Sequence, residues 1–95
     1  MNKYEIALVV STRIDDDAKN AVLDKVKALI EKAQGTGVVV DDQGKKRMAY
    51  EIQDMKEGYY YFITFEGPVE APAVIESNLR IMESVIRFLV VRQDA

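Results

Sequence analysis

The cations of this 95-residue sequence are unevenly placed: Lys45, Lys46 and Arg47 form one run, and Arg80, Arg87 and Arg92 recur through the C-terminal part. Such groups contact phosphate and carboxylate oxygens, Arg through a planar fork of donors, so the chemistry on offer is anion recognition. The formal net charge of −3 opposes nucleic-acid binding, because neutralised phosphates are its main sequence-independent source of affinity. A cationic site would therefore have to be a local face rather than a property of the whole chain.

Other chemistries are poorly supplied. With no Cys and no His, disulfides, thiol chemistry and the commonest general base and metal ligand are excluded. Ser11, Thr12, Thr36, Thr64, Ser77 and Ser84 lack a His to activate them, and no glycine-rich loop offers to cradle a phosphate. An acylphosphatase-like reaction needs a glycine-rich anion loop with an arginine after the first strand; Ser11-Thr12-Arg13-Ile14-Asp15 has the arginine and no glycine. Asp15-Asp16-Asp17 reads as a helix cap followed by acids at the helix's positive end, since a hard cation would need further oxygen ligands. No enzyme activity, metal or cofactor is expected.

The elements that must carry these residues follow from periodicity. Tyr4, Ile6, Leu8 and Val10 alternate as in a strand with one buried face. From Ala18 the spacing becomes helical, with Val22, Val26, Leu29, Ile30 and Ala33 as the apolar stripe and Gly35 as the stop. Lys19, Lys25, Lys27 and Lys32 lie on or near the other side, but Asp24 and Glu31 interrupt them, so an ordinary solvated face is preferred to an RNA surface.

Val38-Val39-Val40 begins a second strand, and the extended pattern resumes through Met48, Tyr50 and Ile52. Asp41-Asp42-Gln43-Gly44 could close a hairpin or form a bulge in one long strand that turns later, over Asp54 to Gly58. The bulge is preferred, because longer β-like runs flank the second turn. Tyr59 to Phe65 is the clearest strand and is predicted to be central; Gly67-Pro68 ends it. Pro72 suits the first turn of a second helix, with Val74, Ile75, Leu79 and Met82 pointing inward over three to four turns. Val85 to Arg92 is the last strand.

Ninety-five residues, 48% of them hydrophobic, fit one domain spanning residues 1–95. No apolar run reaches the roughly 18 to 20 residues of a spanning helix, and the start is unlike a signal peptide, so the cytoplasm is expected. The order βαββαβ predicts an α+β, ferredoxin-like fold: a four-stranded antiparallel sheet with two helices on one face. The other face stays open to a partner. RNA-recognition motifs share this order and stack bases on a third strand, but the small residue expected between the stacking rings is here Tyr60. Core packing or a protein interface suits these rings better.

Four segments resemble the bacterial small-subunit ribosomal protein S six family, from the first strand to the last. Lys3-Tyr4-Glu5-Ile6 is similar to the family's opening basic-Tyr-Glu-aliphatic pattern, and Gly44-Lys45-Lys46-Arg47-Met48-Ala49-Tyr50 to its Gly, basic pair, aliphatic, Ala-Tyr segment. Gly58-Tyr59-Tyr60 falls where the family's third strand starts; Leu79-Arg80-Ile81 and then Val85 to Val91 resemble its second helix end and fourth strand. Glu51 departs from the proline often found after the Ala-Tyr pair, and the extended C-terminal tail of many members is absent. The resemblance implies a non-catalytic protein that pairs with ribosomal protein S eighteen and joins the central domain of small-subunit (16S) ribosomal RNA.

Within that frame Lys3, Arg80, Arg87 and Arg92 are candidates for phosphate or sugar contacts, with Tyr4 beside them, on a site made jointly with a partner that supplies positive charge. Arg47, Ala49, Tyr50, Tyr60 and Phe62 are candidates for partner contact, combining a bulged strand with an open aromatic face. Each has a structural alternative: Arg80 can pair along its helix with Glu76 or Glu83, and Tyr50 can be core. The isolated protein is expected to be a monomer. The competing expectation is a ferredoxin-like ligand-binding or regulatory domain that self-associates through its open sheet.

Overall fold

The computed structural model describes residues 2–52 and 55–93. In chain order the elements are β1 (Asn2–Ser11), α1 (Asp16–Lys32), β2 (Thr36–Ile52), β3 (Met55–Gly67), α2 (Ala71–Leu79) and β4 (Val85–Arg92). The strands form one antiparallel sheet in the order β2-β3-β1-β4. This is the ferredoxin-like arrangement, with β3 central as its sequence predicts.

One face of the sheet makes the core. Tyr4, Ile6, Leu8 and Val10 of β1 and Tyr61, Ile63 and Phe65 of β3 pack against Val22, Val26 and Ile30 of α1 and Ala71, Ile75 and Leu79 of α2. Both helices therefore cover the same side, driven by burial of these apolar side chains. Asp15 caps α1, its Oδ1 accepting the Ala18 N–H at 2.8 Å, and Asp16 and Asp17 occupy the first turn. Among the described residues no group of acids is placed to hold a metal ion, and no helix is long and apolar enough to cross a membrane.

The preferred reading of β2 holds: it is one long strand. The ladder to β3 slips between Asp42 and Gly44, where Gly44 has φ +74° and donates its N–H to Asp42 Oδ1 at 2.8 Å. Two expectations are corrected. Met55 to Gly58 belong to β3, with Ile52 paired to Met55; the remaining turn residue, Asp54, lies outside the described residues. The helix α2 has nine residues, about two and a half turns. Ala71, Ile75 and Leu79 spend its inward stripe, which leaves Val74 exposed and Met82 packing on the core from beyond the helix end. Gly35 ends α1 as its sequence predicts, its N–H donating to the Ile30 carbonyl at 2.7 Å, with a positive φ of 67° at the preceding Gln34.

Candidate functional site

Residues paired across an antiparallel ladder share a face, so the register identifies the face that the helices leave uncovered. It carries the rows Val39–Thr64–Glu5–Val91, then Asp41–Phe62–Ala7–Leu89, then Gly44–Tyr60–Val9–Arg87, each running from β2 to β4. Tyr60 and Phe62 are half-buried there, while Val39 and Leu89 are largely exposed.

The tip of the β2–β3 hairpin bends across this face. The ladder slips again between Arg47 and Ile52, and each slip bends and twists the ribbon. Met48 and Met55 of the tip are thereby buried against Val9, and Ile86 and Tyr60 pack on the same cluster. Ser11 and Thr12 add hydroxyl contacts to Met55 Sδ at 3.4 and 3.8 Å. At the far side Arg87 of β4 donates from Nη1 to Tyr50 Oη at 2.9 Å, with its Cζ 5.6 Å from the ring centroid. Since β2 and β4 are opposite edges, the tip spans the sheet. Arg47, Ala49 and Tyr50 are exposed on it and line a shallow depression with Glu51 and Lys56.

The structure thus brings Tyr50, Tyr60 and Phe62 onto one face and keeps Arg47 and Ala49 with Tyr50 on the tip. It also places Arg87, expected to contact RNA, among them. Of the remaining expected RNA residues, Lys3 and Arg92 are neighbours at one end of the β1–β4 ladder, where the Gln93 N–H donates to the Lys3 carbonyl at 2.8 Å, but their side chains take opposite faces. Lys3 is on the uncovered face but six positions along β1 from Val9, the partner of Arg87, which is roughly 20 Å at the strand rise. Arg92 pairs with Tyr4 and so lies on the helix side, where its Nη2 donates to Asn2 Oδ1 at 3.0 Å. Arg80 is exposed at the end of α2.

Tyr4 is a core residue, 5% exposed. Its ring tilts on Phe65 with centroids 5.5 Å apart, and its hydroxyl accepts from Asn2 Nδ2 at 3.2 Å. That placement leaves it no free ring face for a base. Near Lys3, Thr64, Glu66 and Gln93 help line a cavity of about 320 Å³, and Glu5 accepts a hydrogen bond from Gln93 at 3.2 Å. Both signs of charge meet there.

Of the lysines along α1, Lys19 is engaged locally. Its Nζ stands 3.9 Å over the Tyr59 ring and 3.3 Å from Asp16. Lys25, Lys27 and Lys32 are exposed, as a solvated face would have them.

Residues 3–92 match the family described as Ribosomal protein S6. The chain belongs to the ribosomal protein S6 family. Among its relatives, the small ribosomal subunit protein bS6 of Alkaliphilus oremlandii is 38% identical over 94 residues, 99% of each chain. The protein of the same name from Desulfitobacterium hafniense is 33% identical over an equal share. A crystal structure of 30S ribosomal protein S6 from Thermotoga maritima superposes with a TM-score of 0.91, at 24% identity, over 97% of this chain and 87% of that one. The fold is therefore that of the S6 proteins, and membership places the chain with structural components of the small ribosomal subunit, not with enzymes.

The sequence alone missed Ala7, Val9 and Leu89, which with Tyr60, Phe62 and Arg87 line a groove of about 220 Å³ on the uncovered face. Strand alternation was the available signal: Arg87, Leu89 and Val91 must face away from Phe88 and Val90.

Proposed function

We propose that this protein binds small-subunit (16S) ribosomal RNA jointly with ribosomal protein S eighteen, in the RNA's central domain, during assembly of the small subunit. As a small-subunit protein it works in the cytoplasm. The observation that carries the reading is the separation of its surface groups. Apolar and aromatic side chains gather on the uncovered face, whereas Lys3 and Arg92, neighbours at one end of the β1–β4 ladder, point to opposite faces and Arg80 stands at the end of α2. Cations so placed on a chain of net charge −3 make few phosphate contacts, so a partner held on the uncovered face supplies the rest of the charge.

The test is titration of a central-domain RNA fragment with this protein, with S eighteen, and with both, at two salt concentrations. The mixture is expected to bind tightly and each protein alone weakly. Replacing Arg80 or Arg92 by Ala should lower the slope of log K against log salt by about 0.9 for every phosphate that the arginine neutralises. A mixture that binds no better than S eighteen alone would end the joint-site reading.

One observation favours a second reading, self-association through the uncovered face: Val39 and Leu89 are 61% and 58% exposed there. Sedimentation of the isolated protein separates the two, because the joint-site reading requires a monomer.

A further inference from the structure

We infer that the groove beside Arg87 seats one apolar side chain of the partner protein, that a carboxylate adjoining that side chain pairs with Arg87, and that Tyr50 is the positioning residue for the guanidinium. The inference rests on the proposal above that the uncovered face meets a protein partner.

The shape comes from the register. In the row Phe62–Ala7–Leu89 the central position is an alanine between two large side chains, so the sheet surface forms a trough rather than a ridge. Its volume of about 220 Å³ lies below the roughly 300–1,000 Å³ usual for small-molecule sites. It equals about seven waters at roughly 30 Å³ each. That is the scale of a single side chain.

The walls decide the class of occupant. Ala7, Val9, Phe62 and Leu89 offer no polar side-chain group, so a nucleotide entering the groove would lose water from its polar edges and gain only the Tyr60 hydroxyl and one cation in return. An aliphatic or aromatic side chain gains from burial on every wall. Arg87 is the charged residue of the lining. Its guanidinium has five N–H donors, of which Tyr50 Oη takes one at 2.9 Å. The rest of the fork matches a carboxylate.

The free protein has already ordered this arginine. The hairpin tip crosses the sheet to give it a hydroxyl acceptor and a ring face at 5.6 Å. Ordering a long side chain before association removes part of the entropy lost on binding. Tyr50 thus acts through Arg87 and needs no contact with the partner itself.

The experiment measures binding of purified S eighteen to this protein without RNA, by calorimetry at two salt concentrations, with a thermal melt on every variant to confirm folding. Arg87→Gln is expected to weaken the heterodimer by about 30-fold or more, as removal of a desolvated charge pair does, and to flatten its salt dependence. Tyr50→Phe keeps the ring and removes the acceptor, so it should weaken binding by roughly three- to tenfold. Arg87→Lys restores charge without the fork and should recover only part of the affinity. Leu89→Asp should abolish binding. If all variants bind S eighteen like wild type, the partner docks elsewhere: this inference fails together with the placement of the partner on the uncovered face, while joint RNA binding is judged by its own titration. If Arg87→Gln spares the heterodimer and instead weakens RNA binding by the mixture, Arg87 is a phosphate contact and the inference is overturned. If wild type binds no S eighteen with or without RNA, the proposed function falls with it.

Discussion

Gly58 lies against Val9: a Cβ built at residue 58 would stand 2.5 Å from Val9 Cγ1, with the Val10 carbonyl oxygen at 3.6 Å and Ile86 Cδ1 at 3.7 Å. This close approach is what lets the hairpin tip come down on β1. The Val9 methyl is held by a short branched side chain and has no flexible stem to yield. Gly58→Ala is therefore expected to cost about 1–3 kcal/mol by overpacking. Urea denaturation measures it, and an unchanged midpoint would show that the tip is not packed this closely.

The end of α1 makes a paired prediction. Gln34 N–H and Gly35 N–H donate to the Glu31 and Ile30 carbonyls at 2.9 and 2.7 Å, with Gln34 at φ +67°; together they close the helix as a Schellman motif. Gln34→Gly removes a left-handed side-chain penalty and should stabilise by about 0.5–1 kcal/mol. Gly35→Ala should do the opposite, by about 1–3 kcal/mol. Its Cβ would collide with Ile30 Cγ2 and meet the Ile30 carbonyl oxygen at 2.9 Å, and backbone cannot step aside. Opposite shifts of the melting temperature at neighbouring positions check both.

At the other end of α1, Asp15→Ala removes the acceptor for the Ala18 N–H. Such a cap contributes about 0.5–2 kcal/mol. Asp15→Asn keeps the acceptor and should recover most of that stability, whereas equal deficits in both variants would show that charge near the helix end matters more than the cap.

Local pattern made the β1 core face, the limits of β4 and the bulge at Gly44 legible, because period-two burial and a glycine between runs each point one way. The hairpin turn was less legible: a glycine at residue 58 signals a turn or a close approach equally well, and only the position of Val9 decides. Tyr4 reads as an aromatic with a polar tip, suited to a core or to a base. Its short reach to Asn2 and Phe65 is a tertiary fact. The pairing of Tyr50 with Arg87 was beyond the sequence, since two bends must carry one sheet edge over to the other. For that reason chemistry alone groups Arg87 with the other arginines, whereas its neighbours in space are the partner candidates.

The last prediction concerns alkaline pH. Tyr61 is 1% exposed, and burial pushes its phenol above the ordinary value of 10.0, partly offset by the Lys19 ammonium beside it. In the unfolded chain the phenol ionises at that ordinary value. Once it does, the unfolded chain has released a proton that the folded protein still holds, so rising pH favours unfolding. The contribution of Tyr61 is thus complete below about pH 10 and disappears as pH climbs through the folded value. Lys19 acts in the same direction. Although desolvation opposes it, its hydrogen bond to Asp16 and the nearby acidic groups hold its ammonium above the ordinary range. Tyr61→Phe keeps the ring but has nothing to ionise, so its urea midpoint should fall less steeply than that of wild type as pH rises past the ordinary tyrosine value of 10.0. Parallel profiles for the two proteins would mean that the buried phenol does not set the alkaline limit.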